Sequence, residues 1–278
     1  MTDPNASPPA DPGPRRWPVL RTALWVVGKQ LHAALFGVLI LAAILLTRAI
    51  WQPDWALARY DALVLIAVSL QALMLALKLE TWDEARVIVL FHLTGTAMEW
   101  FKVGAGSWGY PEPGVLKLFD VPLFTGFMYA SVGSYIARVI RGFDMVFAPF
   151  PSYAACVALA VAIYGNFITH HYLPDIRLVL FAATIFLFWR SRAWLRLGTR
   201  WIWVPFPLAV FLASLGLWVA ENIGTLTGTW AYPGQSGWEP VRWSLIGSWY
   251  LLIFVSFTTV TLVFRDALRR APFDPSQG

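Results

Sequence analysis

Eight stretches of the chain are almost wholly apolar, and short polar or charged turns separate them. They run near 31–50, 61–79, 86–104, 121–140, 153–171, 175–190, 204–224 and 244–264. A helix needs about 20 mostly apolar residues to cross roughly 30 Å of hydrocarbon. The pattern therefore predicts an all-α, polytopic membrane protein of about eight transmembrane helices. The first stretch is nearly unbroken from Ala33 to Leu46, and the sixth is the shortest. Residues 28–150 hold the first four spans and 151–266 the last four. Residues 1–27 are predicted to be a disordered cytoplasmic tail and entry, and 267–278 a second tail. The first 16 residues are Pro-rich, contain acids and lack the apolar run of a signal peptide.

Composition sharpens this picture. Apolar residues make up 58% of the chain and charged residues 13%, whereas soluble domains carry about 25% charged residues. That balance argues against both a soluble enzyme and a disordered chain. The single cysteine, Cys156, leaves no disulfide framework and no cysteine-built zinc site. With the N-terminus inside, fifteen of the 21 Lys and Arg residues fall on the inner side and six on the outer. This bias predicts cytoplasmic termini and a multi-pass protein of the cytoplasmic (inner) membrane. It accounts for the net charge of +5 without nucleic acid. The Trp residues cluster near span ends, as in an interfacial belt.

The strongest motif is a self-match. Residues 99–111 read Glu-Trp-Phe-Lys-Val-Gly-Ala-Gly-Ser-Trp-Gly-Tyr-Pro, and 221–233 read Glu-Asn-Ile-Gly-Thr-Leu-Thr-Gly-Thr-Trp-Ala-Tyr-Pro. Glu99/Glu221, Gly106/Gly228, Trp108/Trp230, Tyr110/Tyr232 and Pro111/Pro233 agree at identical spacing. Farther on, Gly126-Phe-Met-Tyr129 corresponds to Gly247-Ser-Trp-Tyr250 with a one-residue shift. The copies begin in spans three and seven, so they point the same way. This predicts two parallel four-helix repeats, a symmetry that transporters also use.

The two glutamates carry the candidate chemistry. Each lies about 5 Å from the end of its span, and acids within spans are functional candidates. Facing one cavity, Glu99 and Glu221 would form an acid–base pair, carry protons or bind a cation. The structural alternative pairs Glu99 with Lys102, three residues on, and lets both acids merely hold loops. His92 precedes Glu99 by nearly two turns on the same helix face, with Gly95 between them, and would orient or relay a proton. Trp108, Tyr110, Trp230 and Tyr232 would line an apolar pocket, with Asn222 as a further pocket residue, or simply cap the helices. Asn166, His170, His171 and Asp175 gather metal-compatible ligands, but adjacent histidines on a helix point about 100° apart. An interfacial polar cap is the simpler expectation, so no metal or cofactor is called for. Glu80, Asp83, Glu84 and Arg86 read as a solvated loop, with Asp83 or Glu84 capping the next helix. Gly126, Ala130, Gly133 and Ala137 form a small-residue stripe suited to close helix packing. Residues 104–109 also match G-x-G-x-x-G, but they close a helix and follow no strand, so no dinucleotide site is inferred.

The stretches 79–85, 91–99, 106–113, 127–135, 169–175 and 220–225 resemble the bacterial integral membrane family called domain of unknown function 817, over about residues 28–265. That resemblance implies a membrane location and no established activity. The acid followed by a Gly-x-Trp-x-Tyr loop is also similar to membrane carotenoid cyclases and hydratases, which protonate polyenes with intramembrane acids. Glu99 and Glu221 occupy the matching places, although the Pro-x-Glu-Glu motif of the cyclases is missing. The leading expectation is an acid–base enzyme acting on a lipid or isoprenoid substrate. The alternatives are a proton- or cation-coupled transporter and a non-catalytic membrane assembly subunit.

Overall fold

A computed structural model describes residues 19–235 and 239–275. The chain is mostly helical: α1 (Val19–Ala33), α2 (Leu35–Ile50), α3 (Arg59–Ala76), α4 (Trp82–Gly104), α5 (Phe124–Gly142), α6 (Tyr153–Thr169), α7 (Arg177–Phe188), α8 (Phe206–Leu226) and α9 (Ser244–Val260). Helices α2 to α9 fall on the eight apolar stretches in order. By length and composition, α3 and α8 suffice to cross a membrane, and α1 with α2 adds a third span if that pair, bent by 69°, acts as one. The other helices do not reach that mark. Helices α6, α7 and α9 are apolar but short, while α4 and α5 carry charges such as Glu84, Glu99, Arg138 and Arg141. The count of eight crossings therefore exceeds the two or three that length and hydropathy support.

Two features depart from the expected tails and loops. Helix α1 starts at Val19, inside the stretch expected to be tail and entry; residues 1–18 lie outside the described residues. The arginine-rich turn after α7 is a hairpin of β4 (Arg192–Leu197) and β5 (Arg200–Pro205), and β3 (Val146–Ala148) pairs with β4. Gly198, in the left-handed region at φ +64°, suits the tight antiparallel turn between Leu197 and Arg200. The C-terminal stretch docks on this sheet. Arg269 bonds the backbone of Phe147 and Phe150, and Phe273 packs on Trp194 and Trp201. A second, two-stranded ribbon joins β1 (Lys117–Leu118) to β2 (Val121–Pro122) just before α5.

Helices α4 and α5 form the closest pairing. The predicted small-residue stripe of α5 is buried. A Cβ at Gly133 would meet the Phe91 ring at 2.7 Å, and one at Gly95 would meet Tyr129 Cβ at 2.6 Å. Only glycine lets these helices approach so closely. One apolar core joins α4, α5, α6, α8 and α9 and includes Phe147, Phe188, Phe206 and Phe257. A second core joins α2 and α3 to Phe124 and Trp230.

The acidic turn before α4 is not a solvated loop. Glu80 and Glu84 are buried, 4% and 0% exposed. Glu84 pairs with Arg141 at 2.9 Å, and Glu80 accepts from Ser134 at 2.8 Å and faces Arg138 at 4.0 Å. Thr81 is the N-cap, and Glu84 closes the capping box. Only Asp83 stays at the surface, paired with Arg86. Charges here are buried because α5 delivers two arginines opposite them.

Candidate functional site

The two copies of the motif fold alike. Each helix ends in a glycine in the left-handed region, Gly106 at φ +70° and Gly228 at φ +64°. At each end the next residue, Ser107 or Thr229, bonds back to a carbonyl five positions earlier, the pattern of a Schellman cap. The reversal sends the following Trp and Tyr back along the helix to its glutamate. Trp108 Nε1 and Tyr110 Oη both donate to Glu99 Oε2 at 2.8 Å. Trp230 Nε1 and Tyr232 Oη both donate to Glu221 Oε1 at 2.7 Å. Gly109 and Ala231, counterparts in the motif, exchange two backbone hydrogen bonds of 3.0 Å in an antiparallel bridge. A bridge between equivalent residues places the two loops about a local two-fold axis.

Symmetry stops at the carboxylates. Tyr129, on α5, donates to Glu99 Oε1 at 2.7 Å, so both oxygens of Glu99 serve as acceptors. Its counterpart Tyr250 lies 3.4 Å from Thr184 Oγ1 instead. Among the described residues Glu221 Oε2 has no hydrogen-bond partner. Two donors on Oε1 leave no room there for a proton, so any proton on Glu221 sits on Oε2.

Both glutamates line one cavity of about 540 Å³, with Trp108, Tyr110, Trp230 and Tyr232. Its remaining wall is largely aliphatic and includes Leu41, Leu212, Leu217 and Leu252. Helix α1 contributes Val26, Gln30 and Leu31 to the wall. The glutamates themselves are buried, 2% and 7% exposed. Burial, and next the Glu99 carboxylate, hold the Tyr110 hydroxyl well above the usual phenol range. Burial and then Glu221 do the same for Tyr232. Both phenols therefore remain proton donors to their glutamates across the ordinary pH range.

The structure thus brings Glu99, Glu221, Trp108, Tyr110, Trp230 and Tyr232 together. His92 and Asn222 stand apart. His92 shares the helix face of Glu99, but α5 covers it: its ring lies 4.6 Å from that of Phe127, its Nδ1 is buried without a hydrogen-bond partner among the described residues, and it does not line the cavity. Tyr129 occupies the space between. Asn222 bonds the Trp218 carbonyl and receives Val241 N–H, so it fastens a loop. Lys102 is not the partner of Glu99; it bonds His171 at 3.1 Å. Asn166 and Asp175 bond each other, and among the described residues no three His, Cys, Asp or Glu side chains gather as a metal cluster. Tyr129 joins the site as well; its segment is part of the repeated pattern, which is the signal the sequence offers for it.

The loops are held by α3. Arg59 forms a two-pronged pair with Glu112, 2.7 Å at each contact. Tyr60 donates to the Thr229 carbonyl, and Asp61 accepts from Val115 and Leu116 N–H. One helix N-terminus therefore clamps both motif loops.

Residues 23–257 match the family described as Protein of unknown function (DUF817). The chain belongs to this family. It is also 43% identical over 233 residues to the uncharacterized protein YoaT of Bacillus subtilis (strain 168), covering 84% of this chain and 88% of that one. Two solved structures of a mycobacterial Insig homolog, MvINS from Mycobacterium vanbaalenii, are similar at a TM-score of 0.49 and 14% identity. One is of a cross-linked trimer. They cover 66% of this chain and 95% of that one. The resemblance read from the sequence is thus confirmed for DUF817.

Proposed function

We propose that this DUF817 protein is an acid–base enzyme of the inner membrane that acts on a lipid or isoprenoid held in the shared cavity. Glu221 Oε2 carries the working proton, and Glu99 is the fixed carboxylate beside it. The observation behind this reading is the asymmetry of the pair: three donors occupy both oxygens of Glu99, while two occupy only one oxygen of Glu221. An aliphatic wall excludes water and suits a hydrocarbon chain.

Protonation of a carbon–carbon double bond fits these groups. Glu221 Oε2–H gives its proton to one alkene carbon, leaving a carboxylate and a carbocation at the other. Loss of a proton from a neighbouring carbon back to Glu221 restores the acid and yields a rearranged double bond. No other reactant is consumed. The indole faces of Trp108 and Trp230 stabilise the transient cation, and the Glu99 charge opposes its positive charge. The local two-fold axis at Gly109 and Ala231 supports reading the two halves as parallel repeats that share one site.

Comparative mass spectrometry of total lipid and pigment extracts tests the proposal. The strains are a deletion, the deletion with the wild-type gene restored, and the deletion carrying Glu221→Gln at equal expression. A species that accumulates in the deletion and in the variant, and disappears with wild type, supports the enzyme and names its substrate. Extracts that match across all three strains, together with pH-gradient-driven uptake into proteoliposomes, would establish the transporter instead.

A further inference from the structure

Lys102 is nearly enclosed, at 2% exposed, yet none of the five ion pairs among the described residues includes it. Its ammonium lies 3.1 Å from His171 Nε2 and 4.0 Å from the centroid of the Phe167 ring. The acidic group of this corner, Asp175, is already engaged. It accepts from Asn166 Nδ2 at 3.0 Å and Arg177 N–H at 2.9 Å, and pairs with the Arg177 guanidinium at 3.1 Å. Lys102 and Arg177 therefore face one carboxylate, and one buried positive charge is left over. Uncompensated buried charges are costly.

The hydrogen bonds point the same way. Ser107 Oγ lies 3.2 Å from the same His171 Nε2. A neutral imidazole nitrogen offers one lone pair, and here two donors converge on it. The other imidazole of this corner, His170, lies over His171 at 4.3 Å between ring centroids and turns its Nδ1 to the Asn166 and Phe167 carbonyls. Two further N–H groups of Lys102 remain to be used. An anionic oxygen, with several acceptor positions, satisfies both donors and the charge together.

Phe167 links this corner to the cavity, because the ring beside Lys102 also lines the space that holds Glu99 and Glu221. We propose that Lys102, His171 and Ser107 bind the anionic head, a phosphate or carboxylate, of an amphiphile whose hydrocarbon chain lies in that cavity. This rests on reading the cavity as a chain site, and it narrows the substrate class to a charged lipid or isoprenoid.

Binding to the full-length protein in neutral detergent tests it, with dodecyl phosphate, dodecanol and inorganic phosphate as probes and titration calorimetry as readout. Wild type is expected to prefer dodecyl phosphate to dodecanol by about tenfold or more, the usual effect of a charge-assisted contact. Lys102→Met is expected to abolish the preference, and Lys102→Arg to keep part of it. His171→Phe gives the same reading should Lys102→Met fail to fold. Glu221→Gln is expected to keep the preference, which separates this site from the proposed acid chemistry. Equal binding of dodecyl phosphate by wild type and Lys102→Met overturns the proposal, as does equal binding of the phosphate and the alcohol by wild type. Inorganic phosphate that binds as tightly as dodecyl phosphate overturns the amphiphile and leaves a free-anion site.

Discussion

Gly95→Ala places a methyl group where α5 allows none. The new Cβ would lie 2.6 Å from Tyr129 Cβ and 2.7 Å from its Cγ. Ordinary contact begins at 3.4 Å, so the two helices must part by about 0.8 Å locally, because a Cβ cannot swing away as a side-chain tip can. The Tyr129 hydroxyl sits 2.7 Å from Glu99 Oε1, and the same displacement takes that bond to the outer limit of hydrogen bonding. Overpacking costs about 1–3 kcal/mol, and loss of a hydrogen bond to a charged group about 1.5–3 kcal/mol. The better helix propensity of Ala returns about 1 kcal/mol. The net expectation is a loss of about 2–4 kcal/mol, or a fall in Tm on the order of 10 °C for a chain of this size. Thermal unfolding in detergent measures it. Gly104→Ala is the control, since a Cβ there meets nothing within 4 Å. A Gly95→Ala protein that melts with wild type and the control refutes the reasoning.

Further outcomes follow from the same contacts. Tyr232→Phe removes one of two donors to Glu221 Oε1 and is expected to cut turnover by about 10- to 100-fold, the kinetic equivalent of about 1.5–3 kcal/mol, while circular dichroism stays unchanged. Gly216 lines the cavity and has nothing within 4 Å of its Cβ position; Gly216→Leu is expected to keep Tm within a few degrees and abolish turnover by filling the cavity. Arg59→Met strands Glu112 and is expected to cost about 3 kcal/mol, with part of that recovered in Arg59→Met/Glu112→Met by double-mutant analysis. Because burial raises Tyr110 and Tyr232, the phenols stay protonated, and the pH–rate profile is expected to show no decline near the ordinary phenol value of about 10.

Much of this arrangement is legible in the sequence, for definable reasons. Apolar run length placed α2 to α9, because each helix buries or presents a long hydrocarbon face. The identical spacing of Glu, Gly, Trp and Tyr anticipated two identical caps, because a helix end that reverses through glycine fixes where the next few side chains land. His92 shows the limit. Periodicity assigns it to the face of Glu99, but a face does not say which neighbour covers it, and Phe127 and Tyr129 do. The one-residue shift between Gly126–Tyr129 and Gly247–Tyr250 was visible; that it would free one oxygen of Glu221 was not, because hydrogen-bond partners depend on how α5 and α9 are set against α4 and α8. The hairpin at 192–205 is hidden by its arginines and by strands that do not alternate; Gly198 between two runs rich in Trp, Leu, Ile and Val is the available signal. Sequence alone gives no sign that Glu80 and Glu84 are buried, because their partners, Arg138 and Arg141, lie more than fifty residues away.

Proton exchange from solvent tests the central claim most directly. Purified protein is incubated with a total lipid extract in deuterium oxide, and mass spectrometry compares wild type with Glu221→Gln. Reversible protonation at carbon predicts that at least one lipid or isoprenoid species gains deuterium with wild type and none gains it with Glu221→Gln. Equal labelling by the two proteins, or no labelled species with either, contradicts an acid at Glu221.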